Sequence, residues 1–205
     1  MKKNLHMFLA ALTATLILAS CATNRLPTEN LKSGTQSLKE DQTTSTFVQL
    51  NDGTIKHYQT LELVTGVFKT PHLLADGKIK IDPKEIIAYQ NNEHYAVSQK
   101  TFASGRRSFV AVETLPGFAV RIAKGKLNVY CKKFYNGRAA VDELYVQSGE
   151  DGQITVFNPE NFKSIIKDNQ EAFSFFIKQK DKDLTKNLQA TADLYNNTML
   201  MSKMD

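Results

Sequence analysis

Five groups of residues in this 205-residue chain carry chemistry at suggestive spacing. Cys21 follows Leu18-Ala19-Ser20 at the end of an apolar run, and its thiolate form would be a strong nucleophile. Ser164-Ile165-Ile166-Lys167 sets a hydroxyl and an amine one helical turn apart, the spacing at which lysine helps activate serine. His57, His72 and His94 are the remaining candidates for metal binding or proton transfer, and Asp142-Glu143 and Glu150-Asp151 are adjacent carboxylates. The fifth group is basic. Arg121, Lys124, Lys126, Lys132, Lys133 and Arg138 follow one another with no acid between Glu113 and Asp142, and Arg106 and Arg107 lie just upstream.

Spacing removes most catalytic readings. The serine–lysine match lacks the S-D-N and K-T-G partners of penicillin-recognising enzymes, and NFKSIIKDN reads as an amphipathic helix with Ser164 and Lys167 on its wet face. The histidines are isolated, with neither HExxH nor i,i+4 pairing and no cysteine close enough for a zinc signature. Neighbouring carboxylates on a strand point to opposite faces, so both acidic pairs read as solvating charges or turn residues. GxSxG, GxGxxG and the P-loop are absent. No catalytic residue, metal ligand or cofactor is assigned, and the chain is expected not to be an enzyme.

The amino terminus is more specific. Lys2 and Lys3 precede a 12-residue apolar run, Met7 to Leu18, and no acid appears before Glu29. That layout is a secretory signal peptide, too short for a membrane span of about 20 apolar residues. Leu18-Ala19-Ser20-Cys21 resembles the lipobox of bacterial lipoproteins. The resemblance implies removal of residues 1–20, a diacylglycerol on the Cys21 sulfur and an acyl chain on its amino group. Two or more acyl chains, at about 0.8 kcal/mol per buried methylene, form a durable membrane anchor. Ala22 after the cysteine, rather than aspartate, points to the outer membrane by the enteric sorting rule.

Loss of residues 1–20 removes Lys2 and Lys3 and no acid, so the net charge falls from +5 to +3. That is too mild to indicate nucleic acid as a partner. The basic run is different because it is concentrated: strands joined by the AKGK turn would place several of its cations on one edge or face. An envelope protein, anionic lipid head groups or an acidic glycan would be its partners; lysines that guard an edge strand are the ordinary alternative. Lipidation of Cys21 leaves Cys131 without an intrachain partner. In KLNVYCKKFY, Leu127, Val129 and Cys131 alternate onto one strand face, where the thiol serves as a small buried hydrophobe.

The elements that would position these groups follow from pattern. Residues 21–45 form a lipidated, flexible tether with almost no apolar content, on the order of 25–30 Å as a random coil. Residues 46–157 hold short Val-, Ile-, Tyr- and Phe-rich runs between the turns LNDGT, LADGK, AKGK, YNGR and GEDGQ. Leu50-Asn-Asp-Gly-Thr-Ile-Lys56 and Leu74-Ala-Asp-Gly-Lys-Ile-Lys80 share LxDGxIK, read as repeated turn chemistry rather than a solenoid. In residues 158–205, Asn158 caps and Pro159 starts a helix bearing Phe162, Ile165 and Ile166. Asp168-Asn169 offers a break or a second start, Phe173, Phe176 and Ile177 form a second stripe, and a last helix runs from about 183 to 199. The fold class is α+β, one domain with an antiparallel multi-hairpin sheet followed by carboxy-terminal helices. Whether the sheet curves or partly closes is left open.

The segments KGKLNVYCKKFY, YVQSGEDG and NPENFKSIIKDN, together with the lipobox, resemble small secreted proteins and lipoproteins of the Bacteroidota over most of residues 46–170. That resemblance implies DG-hairpins followed by a carboxy-terminal helix and supplies no catalytic residue. The functional expectation is a non-enzymatic cell-envelope lipoprotein that binds or scaffolds an envelope component. A carrier of an apolar ligand or lipid is the alternative, and an envelope hydrolase the third class. Replacement Cys21→Ser should abolish incorporation of labelled fatty acid into the protein; retained label would remove the anchor assignment.

Overall fold

A computed structural model describes residues 45–66, 69–103, 113–135, 137–179 and 183–201; Cys21, Arg106 and Arg107 lie outside the described residues. The strands are β1 (Phe47–Leu50), β2 (Ile55–His57), β3 (Leu61–Val64), β4 (His72–Ala75), β5 (Ile79–Ile81) and β6 (Ile86–Gln90). They continue as β7 (Tyr95–Ser98), β8 (Phe118–Ala123), β9 (Leu127–Tyr135), β10 (Ala140–Ser148) and β11 (Thr155–Val156). Three helices follow: α1 (Pro159–Ile166), α2 (Gln170–Lys178) and α3 (Leu184–Met201). The architecture is α+β, with every strand pair antiparallel.

The strands divide between two sheets. Eight lie in the order β11-β10-β9-β8-β7-β6-β1-β2, and three lie in the order β3-β4-β5. The large sheet is open, since β11 and β2 end it without pairing to one another. Each of the five glycine-containing turns joins strands that pair. The two LxDGxIK copies are the β1–β2 and β4–β5 hairpins, placed in different sheets. Their aspartates differ in use: Asp52 accepts from the Thr54 N–H at 2.9 Å, whereas Asp76 reaches across the chain to accept from Gln59 and Thr60.

One face of the large sheet is covered by two layers. Val48, Tyr89, Ala96, Cys131 and Leu144 stand in one cross-strand row. At the β1–β6–β7 end, Val48, Ile86, Tyr89 and Ala96 pack with Leu61, Leu73, Ala75 and Ile81 of the small sheet. At the other end, Leu127, Val129, Cys131, Leu144 and Val146 pack beneath the helices, against Phe162, Ile166, Ala172, Leu188, Ala192 and Tyr195. Those helical residues recur at three- and four-residue spacing, as a buried stripe requires. Cys131 is thus a buried core residue, and burial pushes its thiol up to about 12.

The helix boundaries are set by polar caps. Asn158 accepts from the N–H groups of Glu160 and Asn161, with Pro159 opening α1. Asn169 accepts from Ala172 and starts α2. Phe157, Phe162 and Phe176 then tie the end of the sheet to both helices, with ring centres 4.9 to 6.4 Å apart.

The Asn196 side chain ties helix α3 to the β8–β9 turn, while Thr185 donates to Asp142 of β10. The Asn196 oxygen accepts from the Leu127 N–H at 2.9 Å, and its amide donates to the carbonyls of Leu127 and Lys124 at 2.9 and 3.2 Å. These bonds close around the β8–β9 turn, and a Cβ at Gly125 would collide with the Asn196 side chain. Among the described residues, no helix is long and apolar enough to cross a membrane. Removing Asn196 leaves buried backbone groups without that partner, at about 1–3 kcal/mol per group. Chemical denaturation should show Asn196→Ala losing roughly 2–4 kcal/mol, while exposed Asn197→Ala changes stability by under about 0.5 kcal/mol; equal effects would refute the clamp.

Candidate functional site

Strand periodicity sends every second side chain of the large sheet to the face that the helices leave open. On that face, pairing places Phe47 beside Gln90 and Gln90 beside Tyr95. Tyr95 stands next to Arg121, whose guanidinium carbon lies 4.1 Å over the ring centre. Arg121 pairs with Tyr130, and Tyr130 with Tyr145. The result is a row across adjacent strands in which aromatic rings at Phe47, Tyr95 and Tyr130 alternate with the planar polar groups of Gln90 and Arg121.

This row lines a groove of about 660 Å³, within the roughly 300–1,000 Å³ of small-ligand sites. Ala88 and Val97 keep part of its floor low; Gln49 and Lys124 flank it, and Glu150, Asp151 and Gly152 form one rim. No residue of α1, α2 or α3 contributes. The helices therefore do not form a lid over it.

A hydrogen-bonded frame holds the rim. Tyr130 donates to the Gln147 oxygen at 2.6 Å, and the Gln147 amide donates to the carbonyls of Glu150 and Gly152, each at 2.8 Å. Asn128 donates to the Gly149 carbonyl and accepts from the Gly125 N–H, linking two turns. Gly152 is required for close approach, because a Cβ there would collide with the Ser148 carbonyl oxygen. Burial raises the phenols of Tyr95 and Tyr130, the second to about 12, with Arg121 opposing the shift at both. Both hydroxyls therefore remain protonated at neutral pH and are donors.

The basic run separates into distinct environments. Lys132 is fully buried and lies 3.5 Å from Glu143, a carboxylate that is 16% exposed. Burial pulls its ammonium below the ordinary lysine range, and Glu143 opposes that shift. Lys133 projects from the other face of β9 and binds Glu113 at 3.1 Å. Lys126 contacts Asp168 at 3.6 Å and sits over the Tyr195 ring. Arg138 is exposed near the β9–β10 turn. Arg121 and Lys124 both line the groove, and among the described residues neither has a carboxylate within salt-bridge distance. The structure thus brings Arg121 and Lys124 together and directs Lys132 and Lys133 to opposite faces.

The other chemical candidates are dispersed. His57 is exposed on β2, His72 lies on β4, and His94 lies 3.0 Å from the Tyr89 hydroxyl. Ser164 donates to the Glu160 carbonyl within its own helix, and Lys167 ends that helix. Asp142 accepts from Thr185 on α3 while Glu143 meets Lys132, so these neighbours do serve opposite faces. Among the described residues, no group of three or more metal-ligating side chains converges. Sequence reading missed Gln49, Gln90, Tyr95, Tyr130, Glu150 and Asp151 as parts of one groove. The alternating pattern in LNVYCKKFY was the available signal, since its polar positions Asn128, Tyr130 and Lys132 share a face. Comparisons with protein-family models, curated proteins and solved structures give no match.

Charge burial in the run is testable. Removing one partner of a buried ion pair costs about 3–5 kcal/mol, whereas replacing both by apolar groups is often neutral. Urea unfolding should show Glu143→Ala strongly destabilised and Lys132→Met combined with Glu143→Leu less destabilised than that single variant. Little loss in the single variant would show that Lys132 is not held as a buried cation.

Proposed function

We propose that the chain is a non-enzymatic, lipid-anchored protein of the cell envelope, placed at the outer membrane, whose sheet groove holds an envelope component. The address rests on Lys2-Lys3, the apolar run and Leu18-Ala19-Ser20-Cys21, followed by Ala22. The binding role rests on one observation above others. Arg121 and Lys124 line a single groove without a carboxylate partner among the described residues, while Lys126, Lys132 and Lys133 are ion-paired.

An unpaired cation beside aromatic rings is available for an incoming anion, and its partial desolvation strengthens that interaction. The groove is also formed before any ligand arrives, because its rim is tied by Gln147 and Asn128. A preformed site loses less conformational entropy on binding. The apolar-carrier reading has less support, since the groove carries Arg121, Lys124, Glu150 and Asp151.

Photo-crosslinking in the native envelope tests the placement of the partner. A benzoylphenylalanine probe at Gln49, beside the groove, should yield a discrete adduct absent with the same probe at exposed Lys80 on β5. Adducts at Lys80 and none at Gln49 would move the binding surface away from the groove.

A further inference from the structure

We infer that the groove takes a linear saccharide bearing carboxylate groups, lying across the strands along the row Phe47–Gln90–Tyr95–Arg121–Tyr130. This deepens the proposed role and rests on the groove being the binding surface. Four features of the site select that chemistry.

The first is which protein groups remain available. Strands β6 to β10 each have neighbours on both sides, so their main-chain groups are engaged within the sheet. A peptide could not add itself as a strand at this place, the mode that gives extended peptides main-chain affinity. Recognition must use side chains. Among the described residues, the Gln49 amide and Tyr95 hydroxyl make no hydrogen bond, and the Glu150 and Asp151 carboxylates have no ion partner. Donors and acceptors thus stand side by side, as vicinal sugar hydroxyls require.

Periodicity is the second feature. Adjacent strands are about 4.8 Å apart, close to the advance of a saccharide chain per ring. From Phe47 to Tyr130 the row covers four such steps, about 19 Å, enough for roughly four rings. Its two-strand repeat of aromatic, then planar polar, then aromatic suits a chain with a two-ring repeat. Phe47 and Tyr95 meet C–H faces, Tyr130 closes the row as a buried ring against Phe102, and Gln90 and Arg121 meet oxygen substituents.

Charge supplies the third. The Arg121 fork matches a carboxylate in two parallel bonds, and Lys124 adds a second cation at the same groove. Glu150 and Asp151 on the rim accept from hydroxyls but repel multiply charged phosphate groups. A sparsely charged chain with many hydroxyls satisfies both signs.

The fourth separates this ligand from an anionic membrane surface. A lipid leaflet is bound by an extended basic face. Here Lys126, Lys132 and Lys133 are each committed to a protein carboxylate, and the two cations of the groove lie in a concavity with acids on its rim.

The test uses the full lipidated chain in detergent micelles and isothermal titration calorimetry. The probes are a linear tetramer alternating glucuronic acid with N-acetylglucosamine, the same tetramer with its carboxylates reduced to alcohols, and the peptide Asp-Ser-Asp-Ser. The acidic tetramer should bind at least about tenfold more tightly than the other two, which corresponds to about 1.4 kcal/mol. Arg121→Gln and Lys124→Gln should each erase most of that difference, with unchanged circular dichroism. Equal binding of the reduced tetramer, tighter binding of the peptide, no binding of any probe, or full affinity in folded Arg121→Gln would each overturn the inference. If all probes fail while the Gln49 crosslinker still captures a partner, the groove role stands and the saccharide assignment falls. If both fail, both fall.

Discussion

Nine consecutive register pairs between β9 and β10 commit every side chain of LNVYCKKFY to one of two faces. A one-residue slip would exchange the faces entirely, because strand side chains alternate with a period of two. The apolar positions Leu127, Val129 and Cys131 pack under the helices. Asn128, Tyr130 and Lys132 are thereby sent to the opposite face, where all three are buried and Tyr130 reaches the groove row. The hydrophobic demand of one face thus determines the chemistry displayed on the other, and a fixed register is the condition for both.

The covered face is stabilised by burial and by a small number of polar ties. Leu127, Val129, Phe162, Ile166 and Leu188 are fully buried, each contributing about 1.5–3 kcal/mol by removal from water. Asn196 adds direction to that non-directional force, since its bonds to Leu127 and Lys124 admit one placement of α3 over the β8–β9 turn. The same turn carries Lys124 into the groove and Lys126 towards Asp168. Anchoring the helix and presenting a groove cation are therefore two results of one local geometry.

Much of this architecture was legible in the sequence. The DG and NG turns separate strands that pair, Asn158-Pro159 starts α1, and Asn169 starts α2, because turns and caps are chosen by local chemistry that neighbouring residues reveal. The division into two sheets was not legible. β1 pairs with β6 across the intervening small sheet, and that choice depends on nonlocal packing of Leu61, Leu73 and Ile81. The basic run illustrates the same boundary. Its cations are obvious as a string of residues, yet spacing alone does not show that Lys132 is buried against Glu143 while Arg121 lies over Tyr95. The groove itself assembles residues from seven strands and the segments between them, so no short motif announces it.

The face that carries the groove also holds a packed cluster of Ala88, Val97, Ala119, Tyr130, Tyr145 and Ile154, so cohesion is not confined to the face under the helices. Arg121 and Lys124 are like charges in a common groove, and the contact holding Arg121 is a stack on Tyr95 worth about 0.5–1 kcal/mol. The deciding measurement is the unfolding free energy of the combined variant Arg121→Gln and Lys124→Gln against the parent chain. A change within about 1 kcal/mol is the result expected if these cations are held for a ligand. A loss of about 3 kcal/mol or more, the scale of a broken buried ion pair, would show instead that these two cations hold the fold together.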